Sequence, residues 1–193
     1  MKKIAVFCGS SLGKNPLYAP AAYDLGLLLA ENKIKLIYGG ARVGLMGKLA
    51  NGALSAGGEV VGVLPRFLQK KEIAHSGLTK LILVESMHDR KTMMNDICEG
   101  VIALPGGYGT LEEFFEMLTW AQLGLHHKPI GILNIGGYYD HLLKLVDHMV
   151  EEGLLKPVYR SMLLVASNGK ELLEKMKNYK APQVQKWISE KTL

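Results

Sequence analysis

Seven short apolar runs, each followed by a longer stretch with helical spacing, dictate most of what this chain can fold into. The runs are Ile4–Cys8, Lys35–Tyr38, Val60–Leu64, Leu81–Val84, Val101–Leu104, Ile130–Leu133 and Met162–Val165. The helical stretches are Pro16–Glu31, Gly44–Ala56, Met87–Glu99, Thr110–Leu123, Tyr139–Glu151 and Lys170–Lys177. The runs are apolar throughout rather than at alternate positions, so they read as strands with two dry faces. Buried strands alternating with helices predict a parallel sheet covered on both sides. Right-handed crossovers then wind it into a Rossmann-like, doubly wound α/β sheet of about seven strands. One domain over residues 1–193 is expected, since nothing along the chain reads as a linker, an internal repeat or a low-complexity segment. Pro182 and its neighbouring lysines mark a looser helical extension from about residue 180.

Composition removes several classes of function. With 48% apolar residues among 193, a core can form without disulfide or metal staples. The two cysteines, Cys8 and Cys98, are far apart and suit a reducing compartment. Met1–Gly9 is too short an apolar run for a secretory signal, and no stretch approaches a membrane span. A cytoplasmic protein without a membrane partner is expected. The formal charge of +5 does not point to nucleic acid. Only Arg42, Arg66, Arg90 and Arg160 are arginines, and the lysines of the last segment alternate with Glu171, Glu174 and Glu190 as on a solvated helix. A modest positive field that attracts small anions is the simpler reading.

Ligands of such sheets bind beyond the carboxyl ends of the strands. Three of those ends are rich in glycine: Cys8-Gly9-Ser10-Ser11, Gly39-Gly40-Ala41-Arg42-Val43-Gly44, and Pro105-Gly106-Gly107-Tyr108-Gly109-Thr110. Glycine lets backbone N–H groups come close to a ligand, and a following helix N-terminus adds partial positive charge, so phosphate is the natural guest. Ser10, Gly39, Gly40 and Gly106 are binding candidates on this ground. Gly-x-Gly-x-x-Gly is missing from the first loop, and no Gly-Lys pair is followed by Ser or Thr. Dinucleotide-dependent hydride transfer and nucleoside triphosphate hydrolysis lose weight accordingly.

Two charged clusters border these loops. Glu112, Glu113 and Glu116 follow the third loop on a mainly apolar helix. Glu112 has a plain alternative reading as a dipole complement. Arg90 and Lys91 open an earlier helix, where cations oppose the dipole, so a ligand role accounts for them better. No metal site is expected: His75, His88, His126, His127, His141 and His148 form no ligand spacing. Cys8 and Cys98 read as core.

His88-Asp89-Arg90-Lys91 with Met94, followed by Pro-Gly-Gly-x-Gly-Thr-x-x-Glu ending on Glu113, resembles the signature of the LOG family. These are cytokinin riboside 5′-monophosphate phosphoribohydrolases, often mislabelled lysine decarboxylases. The resemblance runs from Ile4 to about Val165 and includes Tyr38-Gly39-Gly40, Gly44-Leu45-Met46-Gly47, Thr119-Trp120 and Lys128-Pro129. Ala41, in place of a third glycine, and Asp89, in place of Glu, are conservative departures. The resemblance implies a homodimer or higher homo-oligomer that cleaves a nucleoside 5′-monophosphate into free base and ribose 5-phosphate, without cofactor. It makes Arg90 and Glu113 the catalytic pair. Glu72, Lys91, Thr119 and the segment of Gly107, Tyr108, Gly109, Thr110, Leu111 and Glu112 become substrate contacts. AMP is expected to be accepted.

Elementary chemistry agrees with that assignment. Glycosidic cleavage builds positive charge on the sugar, which a fixed carboxylate offsets, and negative charge on the departing base, which a cation offsets. A pyridoxal-dependent decarboxylase would need a Schiff-base lysine, and no lysine stands in a recognisable setting for one. A non-catalytic nucleotide-binding or sensing module built on the same loops remains the alternative.

Overall fold

Seven parallel strands form one sheet in the order β4-β3-β2-β1-β5-β6-β7. They are β1 (Lys3–Phe7), β2 (Lys35–Tyr38), β3 (Val60–Pro65), β4 (Lys80–Val84), β5 (Gly100–Ala103), β6 (Ile130–Leu133) and β7 (Leu163–Ala166). The computed structural model describes residues 1–69 and 74–183. Every strand lies within a residue or so of the apolar run that announced it. The inner strands β3, β5 and β6 are buried at every position, whereas the edge strand β4 is only half covered. A strand with a neighbour and helices on all sides must be continuously apolar, which is why the runs were legible.

The chain winds outward from β1 to β4 through α1 (Tyr18–Glu31), α2 (Gly44–Ser55) and the short α3 (Arg66–Gln69). The helix α4 (Met87–Ile97) then carries it back past β1 to start β5. From there α5 (Tyr108–Gln122), α6 (Asp140–Glu151) and the short α7 (Pro157–Arg160) follow, and α8 (Gly169–Lys177) comes after β7. The direction of winding reverses between β1 and β5. Their carboxyl ends therefore diverge into a crevice, the usual ligand position in this architecture.

Alternate residues of each strand feed two cores. Ile4, Val6, Leu36 and Tyr38 pack with Leu25 and Leu29 of α1, Leu45 and Leu49 of α2, and Leu172 of α8. Ala5, Phe7, Val101, Ala103 and Ile132 pack with Met94 of α4 and with Phe114 and Met117 of α5. Among the described residues no helix is long and apolar enough to cross a membrane.

Small residues let α1 and α2 touch backbone to backbone. A Cβ at Gly26 would lie 2.1 Å from the Leu49 carbonyl oxygen, and one at Gly52 would lie 2.0 Å from that of Tyr23. Neither neighbour can rotate away. Gly52→Ala is expected to cost about 3 kcal/mol by overpacking, well beyond the roughly 1 kcal/mol it gains in helix propensity. Thermal denaturation followed by circular dichroism should show a midpoint lower by about 4–8 °C. A midpoint at or above that of the parent protein would mean the helices can separate freely.

Some boundaries differ from the expectation. The helix α5 begins at Tyr108, not Thr110, because Gly107 takes the N-cap position in extended geometry. The helix α4 ends at Ile97, not Glu99, because Cys98 turns to φ −93°, ψ 159° and leads straight into β5. The helices α3 and α7 are too short to show a period. Residues 181–183 belong to no helix, and the rest of the expected C-terminal helix lies outside the described residues.

Candidate active site

The first element of the site is the start of α4. Ser86 is its N-cap: the Ser86 Oγ accepts from the Asp89 N–H at 3.0 Å, while the Asp89 carboxylate accepts from the Ser86 N–H at 3.0 Å. This is a capping box with Asp in the position usually held by Glu or Gln. It anchors the first turn and presents the next two residues, Arg90 and Lys91, toward α5. Cations so near a helix start oppose the dipole. Carboxylates of α5 offset that cost. The Arg90 Nη1 lies 3.3 Å from the Glu113 Oε1. The Lys91 Nζ lies 2.5 Å from the Glu112 Oε1 and 3.1 Å from the Glu116 Oε1.

The second element is the loop that enters α5. Gly106 must be glycine, because a Cβ there would sit 2.1 Å from the Thr110 Oγ1 and 2.9 Å from the Gly9 nitrogen. The Gly9 N–H donates to the Pro105 carbonyl at 3.0 Å, and the Leu45 N–H donates to the Gly9 carbonyl at 3.1 Å. The ends of β1 and β5 and the start of α2 are thereby tied into one floor. Gly107 and Gly109 are different. A Cβ at either would meet nothing within 4 Å, and neither has a positive φ. Nothing in the described chain requires glycine there. The space beside them is open, at the N-terminus of a fifteen-residue helix with no side-chain cap.

These elements enclose a cavity of about 460 Å³. Cys8, Gly9 and Ser10 line it from β1, Gly39 and Ala41 from β2, and Met87 and Arg90 from α4. Gly107, Tyr108, Gly109, Thr110, Glu112 and Glu113 line it from α5, and Val43, Met46, Leu64 and Leu68 supply apolar walls. A second lobe of about 220 Å³ shares Gly9 and Gly107 and is bordered by Ser11, Leu12, Tyr18 and Tyr138. There the Tyr138 hydroxyl donates to the Gly106 carbonyl at 2.5 Å and steadies the loop from behind. A larger cavity of about 640 Å³ lies between α1 and α8, but its walls hold neither the glycine loops nor the Arg90–Glu113 pair.

Electrostatics single out Glu113. It is 7% exposed, one of two buried polar residues of the described chain with Thr110. Burial pushes its carboxyl above the ordinary range, and the Arg90 guanidinium pulls it back only in part. The Arg90 side chain is itself 12% exposed, and its Nε is buried with no hydrogen-bond partner. A buried ion pair at a cavity wall, with one buried donor left unpaired, is costly and marks the place as more than packing. Burial, helped by the Glu113 charge, also pushes the Cys8 thiol far up, so it is no nucleophile. Among the described residues no three His, Cys, Asp or Glu side chains are placed to share a metal ion.

Of the residues singled out in the sequence, Arg90, Glu113, Ser10, Gly39, Tyr108, Gly109, Thr110 and Glu112 line the main cavity, and Gly107 borders both lobes. Gly106 borders the second lobe. Gly40 makes the turn behind the site, at φ +78° against Leu64. Leu111 packs partly buried on the sheet. Lys91 points to Glu112 and Glu116 and is absent from the cavity wall. Thr119, two turns further along α5, lines a separate apolar cavity with Phe115 and Tyr159. Glu72 lies outside the described residues. Cys8, Val43, Met46 and Leu68 line the cavity without having been singled out for it, because apolar residues at strand ends carry no sequence signal of a wall.

Comparison with known proteins adds a family to this geometry. A family model described as "Possible lysine decarboxylase" matches residues 46–176. The chain is 47% identical over 179 residues to the cytokinin riboside 5′-monophosphate phosphoribohydrolase LOG5 of Arabidopsis thaliana, covering 93% of this chain and 78% of the relative. It is 49% identical over 168 residues to a cytokinin riboside 5′-monophosphate phosphoribohydrolase of Rhodococcoides fascians, covering 86% and 85%. In fold it resembles the molybdenum cofactor binding protein of Rippkaea orientalis, with a TM-score of 0.69 and 24% identity over 91% of this chain and 95% of that one. The Moco carrier protein of Chlamydomonas reinhardtii superposes with a TM-score of 0.68 at 22% identity, over 90% of this chain and 98% of that one.

Proposed function

Since the chain belongs to the LOG family, alongside the cytokinin riboside 5′-monophosphate phosphoribohydrolases, we propose that it hydrolyses the N-glycosidic bond of nucleoside 5′-monophosphates. The products are free base and ribose 5-phosphate. Cytokinin nucleotides are substrates in this reading, and AMP is accepted too. The observation that carries the proposal is the buried Arg90–Glu113 pair set at the open N-terminus of α5.

Phosphate sits against the free N–H groups of Tyr108, Gly109 and Thr110, in the space that Gly107 and Gly109 leave open. That anchors the sugar beneath Glu113 and supplies orientation. As the bond to the base breaks, the Glu113 carboxylate offsets the oxocarbenium-like charge or activates the attacking water. Burial raises its affinity for a proton, which suits it to take one from the attacking water. The Arg90 guanidinium, which lines the cavity, meets negative charge on the departing group. Thr110 and Ser10 complete the contacts. The protein acts in the cytoplasm as a homodimer. Decarboxylation through pyridoxal phosphate would need a free lysine amine in the cavity. The described lining holds none, and Lys91 is engaged by two carboxylates.

The test is a panel of nucleoside monophosphates and nucleosides, with free base measured by chromatography. AMP should be cleaved about a hundredfold faster than adenosine, because the phosphate binding energy is what positions the sugar. Equal rates would remove the phosphate cradle from the argument. No free base from any nucleotide would leave a binding module, the alternative that the loops alone allow.

A further inference from the structure

We propose that Lys91 is a positioning residue: by bridging Glu112 and Glu116 it locks α4 to α5 and offsets part of the negative charge that flanks Glu113. The proposal rests on the reading of Glu113 given above. Three facts carry it. The Lys91 ammonium lies within hydrogen-bond reach of both carboxylates, which stand one helical turn apart. Its side chain is 16% exposed, and it is absent from the cavity wall. Its neighbour Arg90 reaches Glu113, which lies between Glu112 and Glu116, so two consecutive cations of α4 hold three acids within about one turn of α5.

The consequence is electrostatic as well as mechanical. Glu113 is faced by Arg90 and Lys91 from α4, by Glu112 and Glu116 on its own helix, and by the Cys8 thiol from the end of β1. Without Lys91 the first turns of α5 would keep three carboxylates against one cation. Like charges at this spacing repel, and they favour the protonated form of the most buried member, Glu113. Lys91 thus favours the ionised form of Glu113 and holds α4, with its arginine, against α5.

The test compares Lys91→Met, Lys91→Arg and the double variant Lys91→Met with Glu116→Gln. The titration of the Glu113 carboxyl is followed by carbon-13 NMR, its signal assigned by its loss in Glu113→Gln, alongside the pH dependence of AMP hydrolysis. Lys91→Met should move the Glu113 titration and the acid limb of kcat upward in pH. Activity on that limb should fall about tenfold with KM for AMP little changed. Lys91→Arg should stay near the parent protein, and removing Glu116 should bring the titration of Lys91→Met back down. The idea is overturned if the Glu113 titration is unmoved in Lys91→Met, or if KM rises instead and Glu116→Gln restores nothing, the pattern of a substrate contact. The NMR arm decides about Lys91 even if no base is released, in which case the proposed reaction fails and the clamp does not.

Discussion

Glu113→Gln is expected to lower kcat for nucleotide cleavage by about a thousandfold or more while the protein folds and still binds nucleotide. The amide matches the carboxylate in size, so the packing around this 7%-exposed side chain is preserved, and the Gln oxygen can still accept from Arg90. What is lost is a negative charge that matters most as positive charge develops on the sugar. The effect should therefore fall on kcat far more than on KM. Glu112→Gln, one residue away and half exposed at the cavity mouth, should cost far less. Steady-state kinetics on AMP, with nucleotide binding by calorimetry as the control, separate the outcomes. A fully active Glu113→Gln, or a dead Glu112→Gln beside it, would place the catalytic carboxylate elsewhere.

Gly39→Ala should reproduce the loss of Arg90 without touching Arg90. The Cβ it adds would lie 2.3 Å from the Arg90 Nη2 and 3.0 Å from the Met46 Sδ. No positive φ constrains this glycine, so its backbone accepts alanine. The atoms in the way belong to the ends of flexible side chains, so the fold survives and the guanidinium shifts. A displacement on the order of 1 Å at a catalytic group can cost about a hundredfold in rate. We expect a loss of that size with a melting midpoint within a few degrees of the parent protein, because the displaced guanidinium can move into the adjoining cavity rather than into packed core. An equal loss of stability would instead mark Gly39 as a packing residue. Unchanged activity would show that the guanidinium need not stand where it does.

These two predictions differ in how much of them the sequence could have supplied. Glu113 stood out from its place after a glycine loop and from the match to the LOG signature. That Gly39 serves Arg90 was not readable, because the two residues are brought together only when β2 and α4 pack at the same end of the sheet. Lys91 shows the same limit in another form. Its position at a helix start, where cations oppose the dipole, points to a ligand, and the two carboxylates of α5 set against it in the structure are not legible along the chain. The capping box of Ser86 and Asp89 has the Ser-x-x-acid spacing that a sequence can show, with the charged pair Arg90 and Lys91 directly after it. Thr119 shares the helix of Glu113, yet two turns of α5 carry it to a different cavity.

By itself, the sequence determined the seven strands, their alternation with helices, the parallel sheet and the glycine loops at its carboxyl ends. It could do so because burial on two faces and helical period are local demands, met residue by residue along the chain. Only the tertiary structure decided which charges meet. The reversal between β1 and β5 sets α4 beside α5, so Arg90 is buried against Glu113 and Lys91 against Glu112 and Glu116. Coulomb energy and desolvation depend on distance in space, and no period or spacing along the chain encodes that distance.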